Sequence, residues 1–142
     1  MYGTLTHAWN VAQSIVREKR KGRSPHWHAV EAAWLAKNGF CAACGCRVRL
    51  QVHHVRPYHL DPALELDLKN LLTLCMGPNE CHLKIAHGGD WRSYAPDVRE
   101  LASAVLSGTI PRRQAEAQAK SGRLYADPLE PTKGRANERI GQ

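Results

Sequence analysis

The chain has 142 residues, 43% of them hydrophobic, which is room for one small core with short extensions. Its formal net charge of +7 favours polyanions such as nucleic acid as partners. No apolar run approaches the roughly 20 residues of a spanning helix, and the N-terminus lacks a basic-then-apolar leader, so no membrane role and a cytoplasmic, intracellular setting are expected.

Residues 1–23 are expected to form a helix and basic arm. Ala8, Val11, Ala12, Ile15 and Val16 recur at helical spacing, and Arg17, Lys19, Arg20, Lys21 and Arg23 follow. That run is either a solvated helix end or a phosphate-contacting arm. A second helix is expected over 24–40. Ser24 suits its N-cap and Pro25 its first position, and Asn38-Gly39 is a stop. Trp27, Val30, Trp34 and Leu35 form its apolar stripe. His7, His26 and His28, in these two stretches, are expected to be ordinary surface or core residues.

Cys41-Ala42-Ala43-Cys44-Gly45 is a C-x2-C-G knuckle, in which two thiolates reach one ion from a tight turn. Cys75 and Cys81 supply a second pair, giving four sulfurs for a tetrahedral Zn²⁺ of structural role. Their five-residue separation exceeds the usual two to four, which leaves the fourth ligand open between Cys81 and His87. Cys46 is read as a spare thiol. In a reducing compartment the five cysteines are thiols or metal thiolates rather than disulfides.

Between the pairs, Val48, Leu50 and Val52 alternate with polar residues, as in a half-buried strand that Pro57 ends. His53 and His54 close that strand. Neighbouring strand residues point to opposite faces, so two distinct tasks are expected of them. Asn70 to Cys75 reads as a second strand returning antiparallel, and Cys81 to His87 as a short helix ended by Gly88-Gly89. That order puts His53, His54, Asn70 and His82 within reach of one another. Phosphodiester hydrolysis needs such a set: an imidazole as base, a partner for its ring such as Asn70, and neutral imidazoles such as His53 and His82 to hold a cation.

Residues 96–121 are expected to carry helices, the first opened by an Asp97/Glu100 capping box and ended by Gly108. From about 122 the Gly, Pro and charges predict a mobile tail.

The order Cys41-x2-Cys44, His53-His54-x2-Pro57, Asn70-Leu71, Leu74-Cys75 and Cys81-His82 resembles the HNH endonucleases, the ββα-metal or His-Me finger nucleases. The match runs from about residue 24 to 95. Tyr58-His59-Leu60, Glu65-Leu66-Asp67 and His87-Gly88 resemble a bacterial and phage subgroup with a four-cysteine zinc site. The resemblance implies a small α+β protein with a ββα-metal core over 24–95, stapled by zinc and flanked by helices. It implies a metal-dependent DNA endonuclease, with His54 as general base, Asn70 orienting it, and His53 and His82 holding the catalytic ion. Mg²⁺ or Mn²⁺ is the expected ion, with Ni²⁺ or Zn²⁺ suited to an imidazole-rich site. Here the sequence departs from the family's commonest form, which has a Lys or Thr near the position of His87; this residue is left between phosphate binding, the metal site and a helix cap. Arg56, Lys84 and His59 are candidate phosphate or substrate contacts. Double-stranded DNA is the expected partner, and size and tail suit a phage protein working beside a terminase or another specificity partner. The alternatives are a non-catalytic zinc-knuckle protein that binds nucleic acid and a zinc-stabilised protein-interaction domain.

Overall fold

A computed structural model describes residues 22–125. The expected N-terminal helix and nearly all of the expected tail lie outside them. Within them the protein is a small α+β structure. Helix α1 (Trp27–Lys37) precedes the antiparallel hairpin of β1 (Leu50–His54) and β2 (Leu71–Cys75). A π-helical segment, His82–Ala86, follows. Strand β3 (Ser93–Tyr94), helices α2 (Val98–Leu106) and α3 (Arg112–Gly122), and strand β4 (Leu124–Tyr125) complete the chain. No described helix is long and apolar enough to cross a membrane.

The hairpin register explains how the two histidine neighbours separate. Val52 pairs with Thr73 and His54 with Leu71, on the face that packs against α1. Gln51 pairs with Leu74 and His53 with Leu72, on the face towards the π-helical segment. Both faces are therefore covered. The expected half-buried alternation gives way at the end of β1 to three successive buried residues, Val52, His53 and His54.

Trp27, Val52 and Leu71 form a small core, with Val30, Trp34, Leu35 and Leu66 against it. That is the apolar stripe foreseen for α1. The helix begins later than expected, with His26 at its N-cap, while the Ser24 hydroxyl accepts from the His26 amide at 3.1 Å in the turn before it. Asn38 closes it, its amide and side chain both donating to the Trp34 carbonyl.

The larger core holds Cys41, Leu74, Cys75, Cys81, Ile85, Val98, Leu101, Ala115 and Ala119. Helices α2 and α3 thus belong to the same core as the hairpin, rather than only flanking it. The Asp97 side chain makes no cap hydrogen bond, so α2 forms without the expected capping box. At the start of the expected tail, Leu124 and Tyr125 pair with Tyr94 and Ser93.

One close approach locks α3 onto the turn after the π-helical segment. Gly88 has φ +55°, and a Cβ there would sit 2.8 Å from the Ala119 carbonyl oxygen. Arg123 Nη1 donates to the Gly88 carbonyl at 2.8 Å. Gly88→Ala should therefore cost about 1–3 kcal/mol, read as a lowered urea midpoint; an unchanged midpoint would mean that α3 is not seated there.

Candidate metal centres

Cys41, Cys44, Cys75 and Cys81 place their sulfurs within 4.8 Å of one another. The knuckle brings the first two, the end of β2 the third, and the residue before the π-helical segment the fourth. Cys44 and Cys75 Sγ lie 3.7 Å apart, and the edge of a tetrahedron with Zn–S near 2.3 Å is about 3.8 Å. The group could hold a metal ion such as zinc. The fourth place, left open between Cys81 and His87, goes to Cys81. Its thiol hydrogen-bonds Cys41, which pulls Cys41 well below the usual thiol range and pushes Cys81 up. Cys46 stands outside the group, its sulfur 3.8 Å from the Val48 carbonyl oxygen.

A second group joins His53, His82 and His87, again with nitrogens within 4.8 Å of one another. His82 Nε2 lies 3.2 Å from His53 Nδ1 and 3.3 Å from His87 Nε2. The edge of a tetrahedron with metal–nitrogen bonds of 2.0–2.1 Å is about 3.3–3.4 Å. Outer partners fix two of the rings. His82 Nδ1 faces Gln51 Oε1 at 2.9 Å, and His87 Nδ1 donates to the Ser93 carbonyl at 2.6 Å. Both Nδ1 atoms therefore carry the proton, and both Nε2 lone pairs point at each other. A cation between them removes that repulsion. His53 Nε2 is buried with no hydrogen-bond partner among the described residues. The donor set thus fits an ion held by imidazole. No carboxylate joins this group among the described residues.

Sequence reasoning had left His87 open, and the π-helical turn is why. The His87 amide bonds the His82 carbonyl five residues back, at 3.2 Å. That wider turn brings residues five apart towards one side, a rare geometry that is frequent at functional sites.

His54 lies on the other hairpin face. Its Nε2 donates to the Glu65 carbonyl at 2.9 Å, and its ring packs 4.6 Å from that of Trp27. Protonation at Nε2 leaves Nδ1 as the ring's acceptor atom. Asn70 was expected to orient this ring directly, but its side chain goes elsewhere. Oδ1 accepts from the Arg56 amide at 2.8 Å, while Nδ2 donates to the Arg56 and Leu64 carbonyls. Asn70 ties the loop over 55–70 together, and that loop supplies the Glu65 carbonyl. The buried Glu65 carboxylate in turn accepts from the Ser24 amide at 3.2 Å.

The remaining candidates stand apart from the cluster. Arg56 lies 3.6 Å from Asp61, Lys84 pairs with Glu80 at 3.2 Å, and His59 is exposed beside Tyr58. Gln51 and Glu65 were not foreseen. Period-two alternation could have found Gln51, which shares the face of His53; the Glu65-Leu66-Asp67 run carries part of the resemblance, but nothing local gives Glu65 a role.

Burial, then the neighbouring His87, pushes the His82 imidazole down to about 3 from its ordinary 6.5. Burial and the adjoining imidazoles hold His53 well below its ordinary value, and burial lowers His87. A folded-state value below the unfolded one means that the unfolded chain takes up protons first as pH falls. In the metal-free chain, stability from His82 is therefore complete above about 6.5 and lost between there and about 3, at about 1.4 kcal/mol per pH unit. Chemical denaturation across that interval should show the decline, and a His82→Asn chain should show less of it.

Cys81→Ser should lose the ion held by sulfur, whereas Cys46→Ser should keep it, as metal content of the purified protein would report. Equal metal content in both variants would remove Cys81 from the ligand set. No family model, curated protein or solved structure matches the chain, so what the site does must be read from its own geometry.

Proposed function

We propose that the protein is a metal-dependent endonuclease of the HNH type that hydrolyses DNA phosphodiester bonds, its hairpin and π-helical segment acting as a ββα-metal core. The observation that carries this reading is the convergence of His53, His82 and His87 beside a fourth histidine, His54, whose ring is separately fixed. A structural zinc at the four cysteines would staple the hairpin to the segment bearing His82.

His53 and His54 are consecutive but face opposite sides of β1, so this reading requires a phosphate bound at the strand end to reach both rings. An ion held by the three imidazoles would stabilise charge on the phosphate and on the leaving oxygen. His54 Nδ1 would take a proton from the attacking water, with the Glu65 carbonyl holding the ring and stabilising the resulting imidazolium. Asn70 acts at one remove, by fixing the loop that carries this carbonyl. The all-imidazole donor set favours Zn²⁺ or Ni²⁺ over Mg²⁺ or Mn²⁺, which take oxygen ligands, the reverse of the order that the resemblance implies. The net charge of +7 supports attraction to the DNA backbone.

A nicking assay on supercoiled plasmid with Zn²⁺, Ni²⁺, Mn²⁺ and Mg²⁺ tests this. The wild type should convert supercoiled to relaxed DNA. His54→Ala should lose at least about a hundredfold in rate, in line with removal of a general base, while keeping its metal content and DNA affinity. Plasmid left intact with every ion would favour a non-catalytic nucleic-acid-binding protein.

A further inference from the structure

Trp91 is a large aromatic left half exposed, at 50%, directly beside the histidine group. Its ring centroid lies 4.8 Å from that of His87 and 5.2 Å from that of His82. The other described tryptophans serve the fold. Trp27 is buried, and Trp34 packs beside it with its indole N–H donating to Thr73 at 2.9 Å.

The turn that presents Trp91 is unusually well braced for an exposed loop. The Gly89 amide donates to the Leu83 carbonyl at 2.9 Å and the Asp90 amide to the His87 carbonyl at 3.0 Å. The Ser93 hydroxyl bridges the His87 and Asp90 carbonyls at 2.6 and 2.9 Å. Asp90 accepts from the Arg92 amide at 3.0 Å, and α3 grips Gly88 from behind. An indole held this firmly loses little freedom when a ligand covers it. The Arg92 guanidinium stands on the same turn, exposed on one side and ion-paired with Asp90 at 3.1 Å on the other. An exposed aromatic ring beside a basic side chain, next to the group to which the nuclease reading assigns the phosphate, is a combination that suits single-stranded nucleic acid.

We propose that Trp91 is a stacking platform for an unpaired nucleobase adjacent to the phosphate held at the histidine group. In a duplex both faces of each base are covered by its neighbours. A protein side chain outside the helix can stack only on a base in a single strand, at a frayed end or in a bulge. The protein therefore engages DNA best where a nucleotide has left the stack. The inference rests on the nuclease reading for its substrate, but it is tested by binding.

The test uses the full chain with His54→Ala, metal-loaded, so that DNA survives. Fluorescence anisotropy compares a labelled oligothymidine, a fully paired duplex and the same duplex with a one-base bulge. Adding Trp91→Ala should weaken oligothymidine and bulge binding on the order of tenfold and affect the paired duplex less. Trp91→Phe should retain most of the affinity, and Ni²⁺ uptake should match in all three chains. Photocrosslinking through 5-bromouracil should map to the peptide containing Trp91. Unchanged oligothymidine affinity in Trp91→Ala would overturn the proposal. So would a uniform loss on all three DNAs with failed Ni²⁺ uptake, since Trp91 would then only pack its neighbouring ligands. Trp91-dependent binding by a wild type that nicks no plasmid would sink the nuclease reading alone. Nicking by a protein whose binding ignores Trp91 would sink this proposal alone.

Discussion

Four sulfurs converge from three separate stretches of chain, and the placement of nearly everything else follows from that convergence. The knuckle at Cys41 and Cys44 lies far from Cys75 and Cys81 in sequence, and each stretch alone is too short to hold its shape. Thiolates this close repel one another, and thiols this close can satisfy one another only by sharing protons, as Cys41 and Cys81 do. An ion at the centre would replace both arrangements with bonds. For structural zinc such bonds are worth about 10–16 kcal/mol, comparable with the whole stability of a small domain. Because Cys75 ends β2 and Cys81 immediately precedes His82, the sulfur group also sets where the imidazoles begin. The second cluster is thus built on the first.

The π-helical segment is the other constraint. In an α-helix, residues five apart are about 140° from alignment around the axis. His82 and His87 would then face different ways. Widening the turn aligns them, and the fold stabilises that uncommon geometry from outside. The Ala95 amide donates to the Ala86 carbonyl at 2.7 Å, Ser93 holds His87, and α3 packs against Gly88 so closely that no side chain fits. The C-terminal helices therefore take part in shaping the site, although none of their residues belongs to the ligand set.

Much of this was legible in the sequence, for identifiable reasons. Strand periodicity placed β1 and β2, and the helical stripe of Trp27, Val30, Trp34 and Leu35 placed α1, because both patterns report burial directly. Cysteine spacing announced the four-sulfur group. What remained hidden depended on tertiary geometry. The distinction between α and π turns is not written in Cys81–His87, so His87 could not be assigned. The partner of the His54 ring is a backbone carbonyl, which leaves no residue signature. Asn70 was expected to orient the base, but its side chain satisfies main-chain groups of a loop whose path no periodicity describes. The C-terminal helices were expected only to flank the core, because their polar residues outnumber the few valine, leucine and alanine side chains that they bury.

Strand geometry divides the labour between His53 and His54. Consecutive residues on an extended strand cannot share an environment, so two identical side chains acquire different chemistry. His53 turns towards other imidazoles, and burial there keeps it neutral and available as a ligand. His54 turns towards Trp27 and a carbonyl that fixes its tautomer. A spacer between them would have put both side chains on one face and made them near-equivalents. Adjacency instead divides them between the two faces, one among imidazoles that could hold an ion and one against Trp27.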